Sequence, residues 1–261
     1  MTAQTFTIGP ATIDEDDRRV VVRLDRPEAR NAIDLATIQT FHAVCEILEN
    51  RPRILVITGS GGMFASGADL RELRERKRDD ALKGINSGLF DRLRRLPMPT
   101  VAAVSGPALG GGAELAYACD FRIAAPTARF GNPEAALGIV AAAGACWRLK
   151  ELVGEPIANE ILLAGRVLSA EEALACRLVS ELVPADELDA ATEVLVDRIL
   201  RSSPLALRLT KLSMRMPAGS HPEFDNVAQA ILFETSDKHE RITAFLERGR
   251  RDGRSEREDG A

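Results

Sequence analysis

Residues 101–134, VAAVSGPALGGGAELAYACDFRIAAPTARFGNPE, leave this chain few folds to choose from. The apolar run 101–104 has the length and the valines of a buried strand. Ser105-Gly106-Pro107 breaks it, and three glycines, Gly110-Gly111-Gly112, follow. Ala113-Glu114-Leu115-Ala116 then supplies good helix formers and opens a helix. Strand, glycine turn and helix N-terminus together put bare backbone N–H groups in front of a ligand. Glycine admits positive φ and close approach, and the helix dipole favours negative charge there. Residues 120–124 read as the next strand, and Phe130-Gly131-Asn132-Pro133-Glu134 sets a second carboxylate on a turn. Backbone donors beside two glutamates suit enolate or oxyanion chemistry, in which amides hold charge on a carbonyl oxygen while a carboxylate moves a proton. A glutamate in a first helical turn also complements the dipole, and Glu134 beside a proline has a plain loop reading. The residue types alone leave both readings open.

Their arrangement resembles the signature of the enoyl-CoA hydratase/isomerase (crotonase) family: an apolar strand, G-x-A-x-G-G-G-x-E-L, then CD and F-G-x-P-E. Gly106, Ala108, Gly110, Gly111, Gly112, Glu114, Leu115, Cys119, Asp120, Phe130, Gly131, Pro133 and Glu134 fit it. A second segment, 59–70, repeats the strand, glycine turn and helix start after the buried run 54–58, and resembles the family's F-x-x-G-A-D-[LI]. The resemblance implies an oxyanion hole from the amides of Ala68 and Gly111, and catalysis by Glu114 and Glu134 around one water. It implies a substrate and CoA surface from Arg26, Ala29, Ser66, Ala68, Asp69, Leu70, Arg71, Gly110, Gly111 and Pro133. Near the C-terminus, 244–248 resembles a helix whose Phe245 and Arg248 reach the CoA adenine of a neighbouring subunit. By its own residue type, Asp69 also reads as a helix N-cap.

Two departures stand out. Ala141-Ala142 and Cys146-Trp147 replace the family's Pro-Gly and Thr-Gln pairs, which bears on the acyl end of the pocket; Trp147 reads equally well as core filler. Arg177 replaces a usual glycine, so the local turn is expected to differ.

Along the rest of the chain, 5–13 and 19–24 read as two strands joined by an acidic turn. Asp34 reads as the N-cap of a helix to Glu49. The charged run 71–80 reads as a solvated helix face, its mixed signs arguing against nucleic acid. Residues 81–96 have helical spacing. From 186 to 248 four helical segments follow. The expected division is a ββα spiral core over 1–184, a helical trimerisation region over 185–248, and a disordered tail over 249–261, which lacks large apolar residues.

The net charge of −5 offers no general attraction to nucleic acid or anionic membrane, so an anionic ligand needs a local basic patch. Cys45, Cys119, Cys146 and Cys176 lack metal-ligand spacing and sit among apolar residues, which reads as buried, reduced thiols. The sequence shows no transit peptide and no apolar run of membrane length, and a cytoplasmic protein is expected.

The resemblance implies an enoyl-CoA hydratase that adds water to a 2-enoyl-CoA, with acyl-CoA as partner, self-association as a trimer or dimer of trimers, and no metal or separate cofactor. Retention of both glutamates favours hydratase over double-bond isomerase; hydrolase, dehalogenase and decarboxylase, which would keep the oxyanion hole and change the acid–base set, are left open by the unusual Ala141–Trp147 wall. From other classes, a non-catalytic acyl-CoA binder would tolerate loss of a glutamate. A serine peptidase would need a histidine in the strand-turn segments, where none occurs.

Overall fold

The computed structural model describes residues 4–258, with the backbone alone from residue 248 onward. The chain folds as two compact units, Met1–Ile199 and Leu200–Ala261.

The first unit begins with β1 (Gln4–Ile8), β2 (Ala11–Glu15) and β3 (Arg19–Leu24), an antiparallel meander. The single strand expected over 5–13 is therefore two, because Gly9, at φ +52, and Pro10 turn the chain back on itself. Helix α1 (Leu35–Asn50) starts where Asp34 accepts the amide of Thr37. The fully buried β4 (Ile54–Gly59) follows. Asp69 accepts the amides of Arg71 and Glu72 to cap α2 (Leu70–Glu75), and α3 (Arg78–Leu82) is short. Gly84, in the left-handed region, separates α3 from α4 (Ile85–Arg94), so the single helical run over 81–96 is broken.

The organising segment comes next: β5 (Thr100–Val104), β6 (Pro107–Leu109), α5 (Gly111–Ala118), β7 (Phe121–Ala124) and β8 (Arg129–Gly131). It continues through α6 (Lys150–Val153), α7 (Glu155–Leu162), β9 (Leu168–Ser169), α8 (Ala170–Ala175), β10 (Glu181–Leu182) and α9 (Leu188–Leu200).

Seven strands form one sheet in the order β1-β2-β3-β4-β5-β7-β10, and β6-β8-β9 form a second. From β3 to β10 the large sheet is parallel, with Val20 beside Leu55, Val56 beside Val101, and Val101 beside Phe121. Strands β4 and β5 are buried along their whole length, as unbroken apolar runs in a parallel sheet must be. Phe41, Phe64, Phe90, Phe130 and Tyr117 are fully buried in this unit, and a side chain of that size stabilises by about 1.5–3 kcal/mol on burial. Arg122 lies inside as well. Its guanidinium donates to the carbonyls of Leu178 (2.6 Å), Cys119 (2.7 Å) and Ala116 (3.2 Å), satisfying the C-terminal carbonyls of α5.

The division between units falls later than expected. Helix α9 belongs to the first unit because Arg18 pairs with Asp197 at 2.7 Å, Arg19 with Glu193 and Arg23 with Asp189, while Leu188, Leu195 and Val196 are buried. Arg177 has φ +64, the conformation a glycine adopts freely, and as an exposed arginine it bears the left-handed penalty of about 1–2 kcal/mol.

The second unit contains α10 (Pro204–Ser213), capped by Ser203, then α11 (Glu223–Phe233) and α12 (Ser236–Glu258). Where a disordered tail was expected from 249, the helix continues to Glu258; residues 259–261 lie outside the described residues. Among the described residues no helix is long and apolar enough to cross a membrane.

Candidate active site

Hydrogen bonds fix the first glycine-rich loop to residues 31–33 and tie it to the second along β6. The buried Asn31, itself at φ +54, donates to the carbonyls of Ser60 (3.0 Å) and Met63 (2.8 Å) and accepts the amide of Arg26. The loop then runs along β6, with Phe64 and Ala65 donating to the Pro107 carbonyl and Leu109 returning a bond to Ala65. Gly112 is required at this crossing, since a methyl group there would lie 2.1 Å from the Ala65 carbonyl oxygen. Ile33 and Ala68 form a parallel bridge that fixes the end of the loop.

The consequence is local. A methyl group placed on Gly111 would stand 3.4 Å from the Ala68 nitrogen, so the two main-chain amides face one small space. Gly111 is the first residue of α5 and its N–H has no intrahelical acceptor. Neither amide finds an acceptor elsewhere among the described residues. Gly110, at φ +51 and ψ −127, makes the turn in a region essentially closed to other residues.

Both glutamates are buried against the same cleft, a cavity of about 1200 Å³. Glu114 Oε1 accepts the amides of Ala143 (2.8 Å) and Ala145 (3.1 Å). Burial, and after it the charge of Glu134, push its carboxyl up from 4.5 to about 7, against the opposing pull of those amides. Glu134 sits in a 3₁₀ turn; Asn132 Nδ2 approaches its Oε1 at 3.5 Å, and its Oε2 is buried with no partner. Burial raises this carboxyl too. Tyr117 donates its hydroxyl to Asn132 Oδ1 at 3.2 Å, and Asn132 also approaches the Gly110 carbonyl at 3.4 Å, so one amide side chain orients Glu134. The sequence reading assigned no role to Asn132, Tyr117, Asn31 or Arg122. Each looks like an ordinary turn or helix residue until its distant partners are in place.

The raised carboxyl has a consequence for stability. A folded value above the unfolded one favours the fold fully below about pH 4.5, and that contribution is lost as pH rises through 7. Glu114→Gln removes the buried charge while keeping an acceptor for both amides. Its unfolding free energy, taken as variant minus parent, is expected to be about 1–3 kcal/mol larger at pH 8 than at pH 5. Denaturant unfolding at the two pH values measures this; an equal difference at both would refute it.

Arg26, Ala29, Ser66, Ala68, Asp69, Leu70, Arg71, Gly110, Gly111 and Pro133 line the same cleft as the glutamates. Arg26 is engaged within the loop: it pairs with Asp34 at 2.7 Å and donates to the Ala32 carbonyl. The charged run over 71–80 is not merely a solvated face, because Arg71, Arg76, Lys77 and Arg78 also line the cleft, with Arg30. Phe245 lies on α12 of the second unit and is exposed; the Arg248 side chain lies outside the described residues.

Beyond Glu114 opens a smaller chamber of about 310 Å³, lined by Phe90, Arg94, Ala143, Trp147 and Arg148 among others. A π-helical turn, Ala145–Leu149, tucks Ala145 and Leu149 inward and leaves Cys146 and Trp147 outward. Trp147 is therefore chamber wall and not core filler, with the Arg94 guanidinium 4.5 Å over its ring. Of the four cysteines expected to be buried, this turn exposes Cys146, and Cys176 after α8 is half-buried, while Cys45 and Cys119 are buried. Among the described residues no three His, Cys, Asp or Glu side chains come together as metal ligands would.

A family model described as enoyl-CoA hydratase/isomerase matches residues 17–253. The chain belongs to the enoyl-CoA hydratase/isomerase family. It is 34% identical over 250 residues to the short-chain-enoyl-CoA hydratase of Clostridium acetobutylicum, covering 92% of this chain and 96% of that protein. It is 36% identical over 245 residues to the 2,3-dehydroadipyl-CoA hydratase of Escherichia coli K12, covering 90% and 95%. Among solved structures, the enoyl-CoA hydratase of Bacillus anthracis superposes with a TM-score of 0.86 at 30% identity, covering 92% of this chain and 96% of that one. The mixed α/β crotonase-like fold with a helical C-terminal region is thus present in this family member.

One rival loses its footing. Ser213, Asp225 and His221 do meet in the second unit, but Asp225 stands between the others, bonding Ser213 through Oδ1 and His221 Nδ1 through Oδ2 at 2.7 Å. No bond joins histidine to serine, so the cluster lacks the order of a serine peptidase relay.

Proposed function

We propose that this protein is an enoyl-CoA hydratase, a hydro-lyase that reversibly adds water to a 2-enoyl-CoA to give the 3-hydroxyacyl-CoA. The observation that carries this reading is the pair of unpartnered amides, Ala68 and Gly111, facing one space beside two buried carboxyls. The thioester oxygen is received between these amides, which stabilise the enolate as it forms; one such donor contributes about 10²–10³ in rate. One carboxyl of the Glu114–Glu134 pair takes a proton from water as its oxygen bonds Cβ, and the other supplies the proton at Cα. Burial raises both carboxyls, and the charge of Glu134 adds to the rise of Glu114 to about 7, which suits one group to act as acid and the other as base. The basic side chains Arg30, Arg71, Arg76, Lys77 and Arg78, which line the cleft beside Glu28, Asp69 and Asp80, are the groups assigned to the phosphates of CoA on a chain of net charge −5. A structure from Thermobifida fusca solved in complex with CoA, at 33% identity and TM-score 0.78 over 87% of this chain and 93% of that one, supports this ligand. The reading calls for no metal and no cofactor beyond the CoA of the substrate.

Self-association as a trimer or dimer of trimers is part of the proposal. Exposed Val227, Ile231, Phe233, Ile242, Phe245 and Leu246 in the second unit support it, with Phe245 and Arg248 assigned to a neighbour's adenine. A cytoplasmic location fits four free thiols. The test is a panel of crotonyl-, longer enoyl-, dienoyl- and branched acyl-CoAs, followed for loss of the conjugated thioester absorbance and for double-bond migration. Hydration of at least one enoyl-CoA is expected; migration without hydration would reject the hydratase.

A further inference from the structure

We infer that Asn86 is a third donor to the thioester oxygen, a catalytic residue supplied by a side chain where the two main-chain amides converge. The inference rests on the hydratase reading above. The three heavy atoms nearest to a methyl group built on Gly111 are the Ala68 nitrogen at 3.4 Å, Asn86 Nδ2 at 3.8 Å and the Gly67 carbonyl carbon at 3.8 Å. The point lies one covalent bond from the Gly111 Cα and two from that residue's own nitrogen. Space in front of Gly111 is therefore bordered by two nitrogen donors, the Ala68 amide and Asn86 Nδ2, with the Gly67 carbonyl carbon as the third neighbour.

The identity of the facing atom follows from chemistry. Arg76 Nη1 lies 3.1 Å from the other arm of the Asn86 amide, and a guanidinium only donates. That arm must be the carbonyl, which leaves the NH₂ on the side of the hole. Glu72 Oε2 lies 3.6 Å from Arg76 Nη2, and Glu72 also accepts the amide of Leu35, so α2 is tied to the start of α1 and braces the arginine. The NH₂ of Asn86 has no acceptor among the described residues. The half-buried Asn86 lines the substrate cleft from the first turn of α4. A neutral donor with free hydrogens, oriented by an arginine and facing two other unpartnered amides, has the composition of an oxyanion site. Its hydrogen bond strengthens as negative charge develops, so its effect belongs to the transition state more than to binding.

The test compares the full-length parent with Asn86→Ala and Asn86→Asp. Steady-state hydration of crotonyl-CoA is paired with absorbance of bound 4-dimethylaminocinnamoyl-CoA, whose band shifts to the red as its carbonyl is polarised. Both variants are expected to lose about 10- to 100-fold in kcat with KM little changed. Each should also show a smaller red shift than the parent, and Asn86→Asp should be the slower because it sets a carboxylate beside the oxyanion. Asn86→Asp has nearly the parent's shape, and thermal unfolding of both variants checks the fold. Unchanged kcat and red shift would overturn the proposal and leave the hydratase standing. A fall in kcat with the red shift intact would also overturn it, placing Asn86 in the architecture and not at the oxygen. If the parent itself neither hydrates an enoyl-CoA nor shifts the probe, the hydratase reading fails and takes this inference with it.

Discussion

Glu134→Gln and Glu114→Gln are each expected to lower crotonyl-CoA hydration by about 10²–10⁴-fold while acyl-CoA binding persists. Glutamine keeps the volume of the side chain and one carbonyl acceptor, so the cleft and its basic rim should survive the change. What it removes is the ability to take or give a proton. Because the two carboxyls act as one acid–base pair in the proposed reaction, the losses should not add: the double variant is expected to be little slower than the worse single one. In the parent, kcat/KM should change with an apparent ionisation near 7, where the buried Glu114 carboxyl stands, and this limb should move or vanish in Glu114→Gln. Steady-state kinetics from about pH 5.5 to 9, with bound acyl-CoA measured by equilibrium titration, provide the check. Undiminished turnover in both single variants would remove the glutamates from the chemistry.

Gly111→Pro is the second large expectation, because it deletes one of the two main-chain donors outright. The position is unusually favourable for isolating that effect. Gly111 is the first residue of α5, where a missing N–H costs the helix nothing and a proline's fixed φ suits it. The residue before it is Gly110, which escapes most of the restriction that proline imposes on its predecessor. The ring would also enter the space 3.4 Å from the Ala68 nitrogen. A loss of about 10²–10³-fold in kcat is expected from the donor alone, and the crowding adds to it. Circular dichroism and the thermal midpoint distinguish a folded, inactive protein from an unfolded one. A folded variant with parental kcat would mean that the thioester oxygen does not bind at Gly111.

Much of the site could be read along the chain because its chemistry is written in short contiguous segments. Gly110-Gly111-Gly112 followed by Glu114, and Pro133 followed by Glu134, each announce a turn with a carboxylate on it. Asp34 and Asp69 cap their helices as their residue type suggests. Other features depend on pairs far apart in sequence. Asn31 bonds Ser60 and Met63, Arg122 bonds Leu178, and Arg76 turns the amide of Asn86; no local periodicity marks any of them. The misread stretches have physical causes as well. Gly9 and Gly84 in left-handed conformations split what looked like one strand and one helix, and ion pairs to Arg18, Arg19 and Arg23 drew α9 into the first unit. Cys146 reads as a buried thiol by its apolar neighbours, yet a π-helical turn rotates it outward, and the same turn decides between the two readings of Trp147.

The sequence by itself determined the family, the strand-turn-helix units, and where along the chain the two glutamates and the Ala68 and Gly111 amides stand, because each is encoded by residues adjacent in the chain. Only the tertiary structure decided that these four groups share one cleft, that burial and the charge of Glu134 hold the Glu114 carboxyl near 7, and that Asn86 faces the same space. The reason is that proximity, desolvation and hydrogen-bond direction are properties of groups brought together across the fold, and no single segment carries them.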